Sequence, residues 1–294
     1  MSAIDLAEDV VFRPVCWTTA LPATLRRIGV TDLLSPCGLD FESYGTARMM
    51  ARSAKVGRRI AARVESPDAT VSGVMLLECL PVKVVAELDA VGLSLAEVDD
   101  DAMDASVGAL RQAWCWTHDV WRELSASVAY LVRCVHLIEA PSPDLDCSYS
   151  NPDLPFSVFL SVADHGIRGR IERLMEALVH EAVHLQLSLI ERRLQLVESE
   201  WAGRSAFSPW RRGQRSVRGV LHALQVFVVV QRLWQRAARR APRGLDGGFA
   251  EARVRAIRDE VAGAGELAAS PGLSPRGRAL ARQLQALGST ARVG

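Results

Sequence analysis

Five consecutive residues carry the clearest chemistry in the sequence. His180-Glu181-Ala182-Val183-His184 fits the pattern His-Glu-x-x-His. Residues four apart on a helix lie one turn apart on the same face. His180 and His184 can therefore share one divalent ion of the zinc or iron type. Glu181 is offset around the helix, within reach of a bound water or of the groups behind the ligands. The neighbours Leu174, Leu178, Val179, Val183, Leu185 and Leu187 are apolar. They predict a largely buried helix, where two imidazoles point to a metal more readily than to a pair of core histidines bonded to each other.

Such a site needs a third ligand. Glu191 shares the face but lies about 10 Å beyond His184 along the axis, at 1.5 Å per residue, too far for the same ion. Glu198 and Glu200 would resemble the distal glutamate of HExxH peptidases. No His-x-x-Gly-x-x-His continuation accompanies them, since the chain reads HEAVHLQLSLIE. His222, in the apolar run Gly219-Val220-Leu221-His222-Ala223, is the better candidate. Arg215, Arg218 and His222 fall at i, i+3 and i+7, one stripe of a helix expected over 215–236. An apolar helix that turns two guanidinium groups and an imidazole to one side faces something anionic. The plain alternative for the arginines is pairing with a carboxylate elsewhere in the core. Arg211, beside Trp210, belongs to the same neighbourhood.

The rest of the chain must position these groups. Its 294 residues suit one large domain or two modest ones. With 49% hydrophobic residues it can build a substantial core, and its low aromatic content with abundant Ala, Val, Leu and Arg favours helices. The net charge of +1 supplies no bulk field for nucleic acid. The six cysteines show no ligand spacing and read as reduced core residues. The N-terminus, MSAIDLAEDVVF, lacks the features of a secretory signal, and no window of eighteen apolar residues predicts a membrane span. A cytoplasmic protein is expected.

Residues 1–65 mix short helical pieces with a breaker at Ser35-Pro36-Cys37-Gly38. The basic stretch 49–64 patterns as a solvated helix. Further helices are expected over 82–93, 95–110 and 113–138, with His118 and His136 as core or boundary residues. Pro141-Ser142-Pro143 ends the last of these. Ser148-Tyr149-Ser150 and Phe156–Val162 alternate with period two and predict a strand or hairpin. A long helix over 168–198 carries the motif, and Ser205–Gly213 is a loop. The tail beyond Arg239 holds two helical stretches, near Phe249–Leu267 and Pro275–Leu287, expected on the outside or partly frayed. The expected class is mainly α (α+β), a helical domain with a small β element beside the metal-binding helix. Three segments follow: a helical region over 1–140, a metal-binding core over 141–238 and a helical tail over 239–294.

The runs LVHEAVHLQL and FSPWRRGQRSVRGVLHALQVF together resemble the HExxH-motif peptide-modification proteins found near ribosomally made peptide natural products. Those proteins share HExxH, a Ser-Pro-Trp-Arg loop, an Arg-Pro pair and a Gly-Val-Leu-His helix. The resemblance covers roughly residues 145–235. It implies an iron(II)- and 2-oxoglutarate-dependent oxygenase that β-hydroxylates residues of a precursor peptide. It places iron on His180, His184 and His222. Arg215 stands at the arginine of Arg-Pro, although Ser216 replaces the usual proline. The Ser148–Ser150 strand, Ser150 included, would line the pocket. Three protein ligands leave room on iron for a bidentate 2-oxo acid and for dioxygen. An arginine fork, Arg215 or Arg218, suits the distal carboxylate, and Glu181 becomes an orienting group. The competing readings are a zinc metallopeptidase with Glu181 as general base and a non-catalytic peptide-binding scaffold, which the basic stretch at 48–59 would suit.

Overall fold

The computed structural model describes residues 63–65, 67, 74–77, 92–94, 96, 100–132, 134–139, 147–151, 157–161, 169–191, 194–201, 204–240 and 242–289. The breaker at 35–38 lies outside these residues, as does the stretch at 49–62 and most of the expected helix over 82–93. The chain is mainly helical with a small sheet. The helices are α1 (Asp100–Val120), α2 (Arg122–Leu131), α3 (Arg170–Glu191), α4 (Val217–Arg240), α5 (Gly247–Gly263) and α6 (Pro275–Ser289). The strands are β1 (Arg63–Glu65), β2 (Val74–Leu77), β3 (Cys134–Ile138), β4 (Ser148–Ser150), β5 (Ser157–Ser161), β6 (Ser205–Ser208) and β7 (Gly213–Ser216).

The main sheet has the order β1-β2-β3-β5-β4. Its inner pairs β2/β3 and β3/β5 are parallel, and its outer pairs β1/β2 and β5/β4 are antiparallel. The expected hairpin at 148–162 is β4 and β5, with Tyr149 opposite Phe159. The helix expected over 113–138 is instead the end of α1, all of α2 and the strand β3. The chain leaves the helical conformation at Trp121 and is extended at Val132. Cys-Val-His-Leu-Ile is buried from Val135 to Ile138. A parallel strand covered on both faces has no polar alternation, so it reads like a buried helix segment. His136 is buried and stacks on Phe159, with ring centroids 4.8 Å apart.

Helix ends follow local hydrogen bonding. Ser216 Oγ accepts from the Gly219 amide at 3.0 Å and starts α4. Asp246 caps α5 by accepting from the Gly248 and Phe249 amides. Ser274 does the same for α6 at Gly277, with Pro275 at the first helical position. The cap at Ser216 corrects the expected start of the second site helix. Arg215 lies on β7, one residue before the cap, and the stretch expected as a loop is the β6–β7 hairpin turning through Pro209–Arg212. The C-terminal helices are not peripheral. Val254, Ile257, Val261, Leu280 and Leu284 belong to the same hydrophobic cluster as Trp114, Leu178 and Val228. No helix among the described residues is long and apolar enough to cross a membrane.

Candidate metal centre

α3 packs between α1, α4 and the β4–β5 hairpin. It buries Leu174, Leu178, Val179, Ala182, Val183 and Leu185, which fixes the opposite register of His180 and His184. The two rings meet edge to face, and their Nε2 atoms are 3.1 Å apart. Two nitrogens each about 2.1 Å from one ion at tetrahedral or octahedral angles would sit roughly 3.0–3.4 Å apart. The pair therefore has a separation that one ion would allow.

His222 reaches the site from α4. Its Nε2 lies 2.8 Å from Glu191 Oε2 and its Nδ1 lies 3.3 Å from His184 Nδ1. Glu191, placed out of range of the ion along the helix axis, proves to be the carboxylate that holds His222. The bonding order follows from the carboxylate, which only accepts. His222 donates through Nε2 and keeps a lone pair on Nδ1. His184 donates to that lone pair through its own Nδ1, which leaves His184 Nε2 with a lone pair facing His180. Glu191 thereby sets the tautomer of the motif's second histidine through His222. Burial pushes the His184 pKa well below its usual value, and the nearby His180 and His222 add to this. Burial also lowers His222, against the opposing pull of Glu191. Burial thus favours the neutral form of both rings, the form that binds metals.

The three imidazoles form a line rather than a converging set. His184 offers one nitrogen to His180 and the other to His222, and one ion cannot use both. Among the described residues no group of three or more His, Cys, Asp and Glu side chains already surrounds one point. The 3.1 Å between His180 Nε2 and His184 Nε2 is compatible with one shared ion and equally with an N–H···N hydrogen bond. His222 joins the same ion only if the His184 or His222 ring turns.

Glu181 is buried. It accepts a hydrogen bond from Ser148 Oγ at 2.7 Å and lies 3.8 Å from His180 Nε2. Ser148, not Ser150, is the β4 residue that touches the motif; Ser150 sits two residues along, opposite Val158. Cys147 is a neighbour that composition could not single out. Its thiol pKa is raised by burial and then by Glu181, while Arg211 lowers it. Phe227, five residues beyond His222 on α4, stands edge-on to His180 at 5.3 Å. Trp210 of the Ser-Pro-Trp turn stacks flat on Phe227, also at 5.3 Å. The turn thus braces the first histidine through two aromatic rings.

The arginines divide. Arg218 donates to Glu191 through Nε at 2.7 Å and through its terminal nitrogen at 2.6 Å. It is occupied by a carboxylate, and with His222 it holds Glu191 below the usual carboxylate range despite burial. Arg215 makes no ion pair among the described residues. Partial burial and then the Arg211 charge lower its pKa, while the Glu181 charge raises it. Its side chain crosses Gly219, where an added Cβ would meet Arg215 Nε at 3.2 Å. Arg211 is exposed in the turn. Glu198 bonds Gln195 and the Gly272 carbonyl, and Glu200 is exposed on a short 3-10 turn; neither touches the histidines. The chain matches no protein-family model and no curated protein.

Proposed function

We propose that the protein is an iron(II)- and 2-oxoglutarate-dependent oxygenase that β-hydroxylates residues of a ribosomally made precursor peptide. The observation that carries this reading is an imidazole pair 3.1 Å apart, a spacing one ion would allow, near an arginine that has no carboxylate partner among the described residues. His180 and His184 would hold the iron through Nε2, and His222 would supply Nδ1 once its ring, or that of His184, turns out of the contact between them. Iron would supply the activation of dioxygen, and 2-oxoglutarate would leave as succinate and carbon dioxide while one oxygen atom enters the substrate C–H bond. Arg215 would anchor the distal carboxylate of 2-oxoglutarate, with Arg211 adding positive charge. Arg218 is assigned to Glu191 instead. Glu181, held by Ser148, would orient the groups beside His180.

A zinc peptidase is the second reading, favoured by Glu181 standing 3.8 Å from His180 Nε2, within reach of a water on a shared ion. Mass spectrometry separates the two. A candidate precursor peptide is incubated with the protein, iron(II), 2-oxoglutarate and oxygen. Gain of one oxygen with succinate formed supports the oxygenase. Cleavage that needs zinc and not 2-oxoglutarate overturns it.

A further inference from the structure

Charge is unevenly placed along this chain. Between Trp201 and Leu245 there are ten arginines and no aspartate or glutamate, although the chain as a whole carries 35 cationic and 34 acidic residues. Arg204, Arg211, Arg212, Arg215 and Arg218 lie on or beside the β6–β7 hairpin, and all five are exposed. Arg218 is taken by Glu191; the other four form no ion pair among the described residues. Among the described residues the two strands pair only with each other, so each presents there an edge of backbone donors and acceptors that no described strand takes. Phe207 on β6 is the one exposed large hydrophobic side chain among the described residues, at 55%. It borders a groove of about 530 Å³ lined by Ala206, Val220, Ala264 and Leu267, with Glu266 as the one charged residue of the lining. β7 runs straight into α4, so His222 follows Ser216 by less than two helical turns.

We propose that the hairpin and this groove bind an acidic peptide in extended conformation, as an added strand with an apolar side chain in the groove beside Phe207. Main-chain hydrogen bonds along an open edge supply affinity without regard to sequence, and the groove and the arginines supply selection. Charge complementarity decides the occupant. A second copy of the chain would bring the same arginines against each other. A nucleic acid would meet one exposed aromatic ring and an apolar groove in place of a stacking surface. The simplest competing account is that the arginines only keep a bare edge from pairing at all. The proposal deepens the oxygenase reading, and rests on it for the peptide's being the substrate; binding itself is independent of that reading.

Fluorescence anisotropy on the full chain, without iron or 2-oxoglutarate, tests it. The probe is a labelled peptide of about twelve residues alternating Glu and Val, set against its Lys-for-Glu counterpart and a single-stranded DNA of equal charge. The acidic peptide is expected to bind, with affinity falling as salt rises. Phe207→Asp and Arg212→Asp are each expected to weaken it by roughly tenfold. Arg212 has φ 47°, a conformation that aspartate tolerates better than most residues, so the turn survives the exchange. Equal binding of the lysine peptide, tighter binding of the DNA, or variants that bind like wild type would each overturn the proposal. Loss of peptide binding leaves the oxygenase reading standing, whereas intact binding without oxygen transfer counts against the oxygenase alone.

Discussion

His184 has both ring nitrogens committed, one to His180 and one to His222. The proton on its Nδ1 is set two residues away in space, by Glu191. Removing that carboxylate's charge should loosen the tautomer of both histidines. Glu191→Gln is expected to weaken iron(II) binding about 10- to 100-fold, as measured by anaerobic titration, with no loss of helix content. Wild-type affinity in that variant would remove Glu191 from the centre. Arg215 carries the other half of the reading. Loss of a charge-assisted bidentate contact costs about 1.5–3 kcal/mol. Arg215→Ala should therefore raise the 2-oxoglutarate dissociation constant roughly ten- to a hundred-fold. Arg218→Ala should act mainly through Glu191 and weaken iron binding instead; equal effects of the two variants on 2-oxoglutarate would contradict this division.

The junction between β7 and α4 places both groups. Ser216 ends the strand and caps the helix, and Gly219 leaves room for the Arg215 side chain. An alanine Cβ at 219 would stand 3.2 Å from Arg215 Nε and 3.1 Å from Ser216 Oγ. The flexible arginine must move and the Ser216 hydroxyl must shift slightly, a cost that alanine's gain of up to about 1 kcal/mol in helix propensity over glycine offsets. Gly219→Ala should thus keep or raise the unfolding midpoint yet weaken 2-oxoglutarate binding several-fold with iron affinity unchanged. Isothermal titration with each ligand checks the split. This junction also marks where the sequence was legible. The helix carrying His180 and His184 follows from apolar spacing alone, and the β4–β5 hairpin from its alternation. Arg215, Arg218 and His222 do have helical spacing, but a serine cap overrides it for Arg215. β3 was hidden because a strand buried on both faces lacks alternation. The rise along α3 puts Glu191 out of reach of the ion but says nothing of His222, which α4 brings alongside it. Ser148 and Phe227 reach the motif only through tertiary packing, which no local pattern encodes.

One hydrophobic cluster links Val64 to Leu284, so the centre's electrostatics should register in the stability of the described part as a unit. The folded pKa values of His184 and His222 lie below the unfolded value of about 6.5. The unfolded chain then binds more protons as pH drops below that value. Stability from these sites is complete above about pH 6.5 and is lost as pH falls toward the folded values. Thermal scans of metal-free protein should show a midpoint that declines between about pH 7 and 5. A His184→Gln, His222→Gln double variant should flatten that decline; an unchanged slope would mean other groups cause it. The central claim, iron with 2-oxoglutarate bound beside Arg215, is tested most directly by anaerobic absorption spectroscopy. Adding 2-oxoglutarate to the iron(II)-loaded protein should produce a metal-to-ligand band in the visible region, absent from His184→Ala and needing far more 2-oxoglutarate in Arg215→Ala. No band in the wild-type protein, with iron demonstrably bound, would contradict the account.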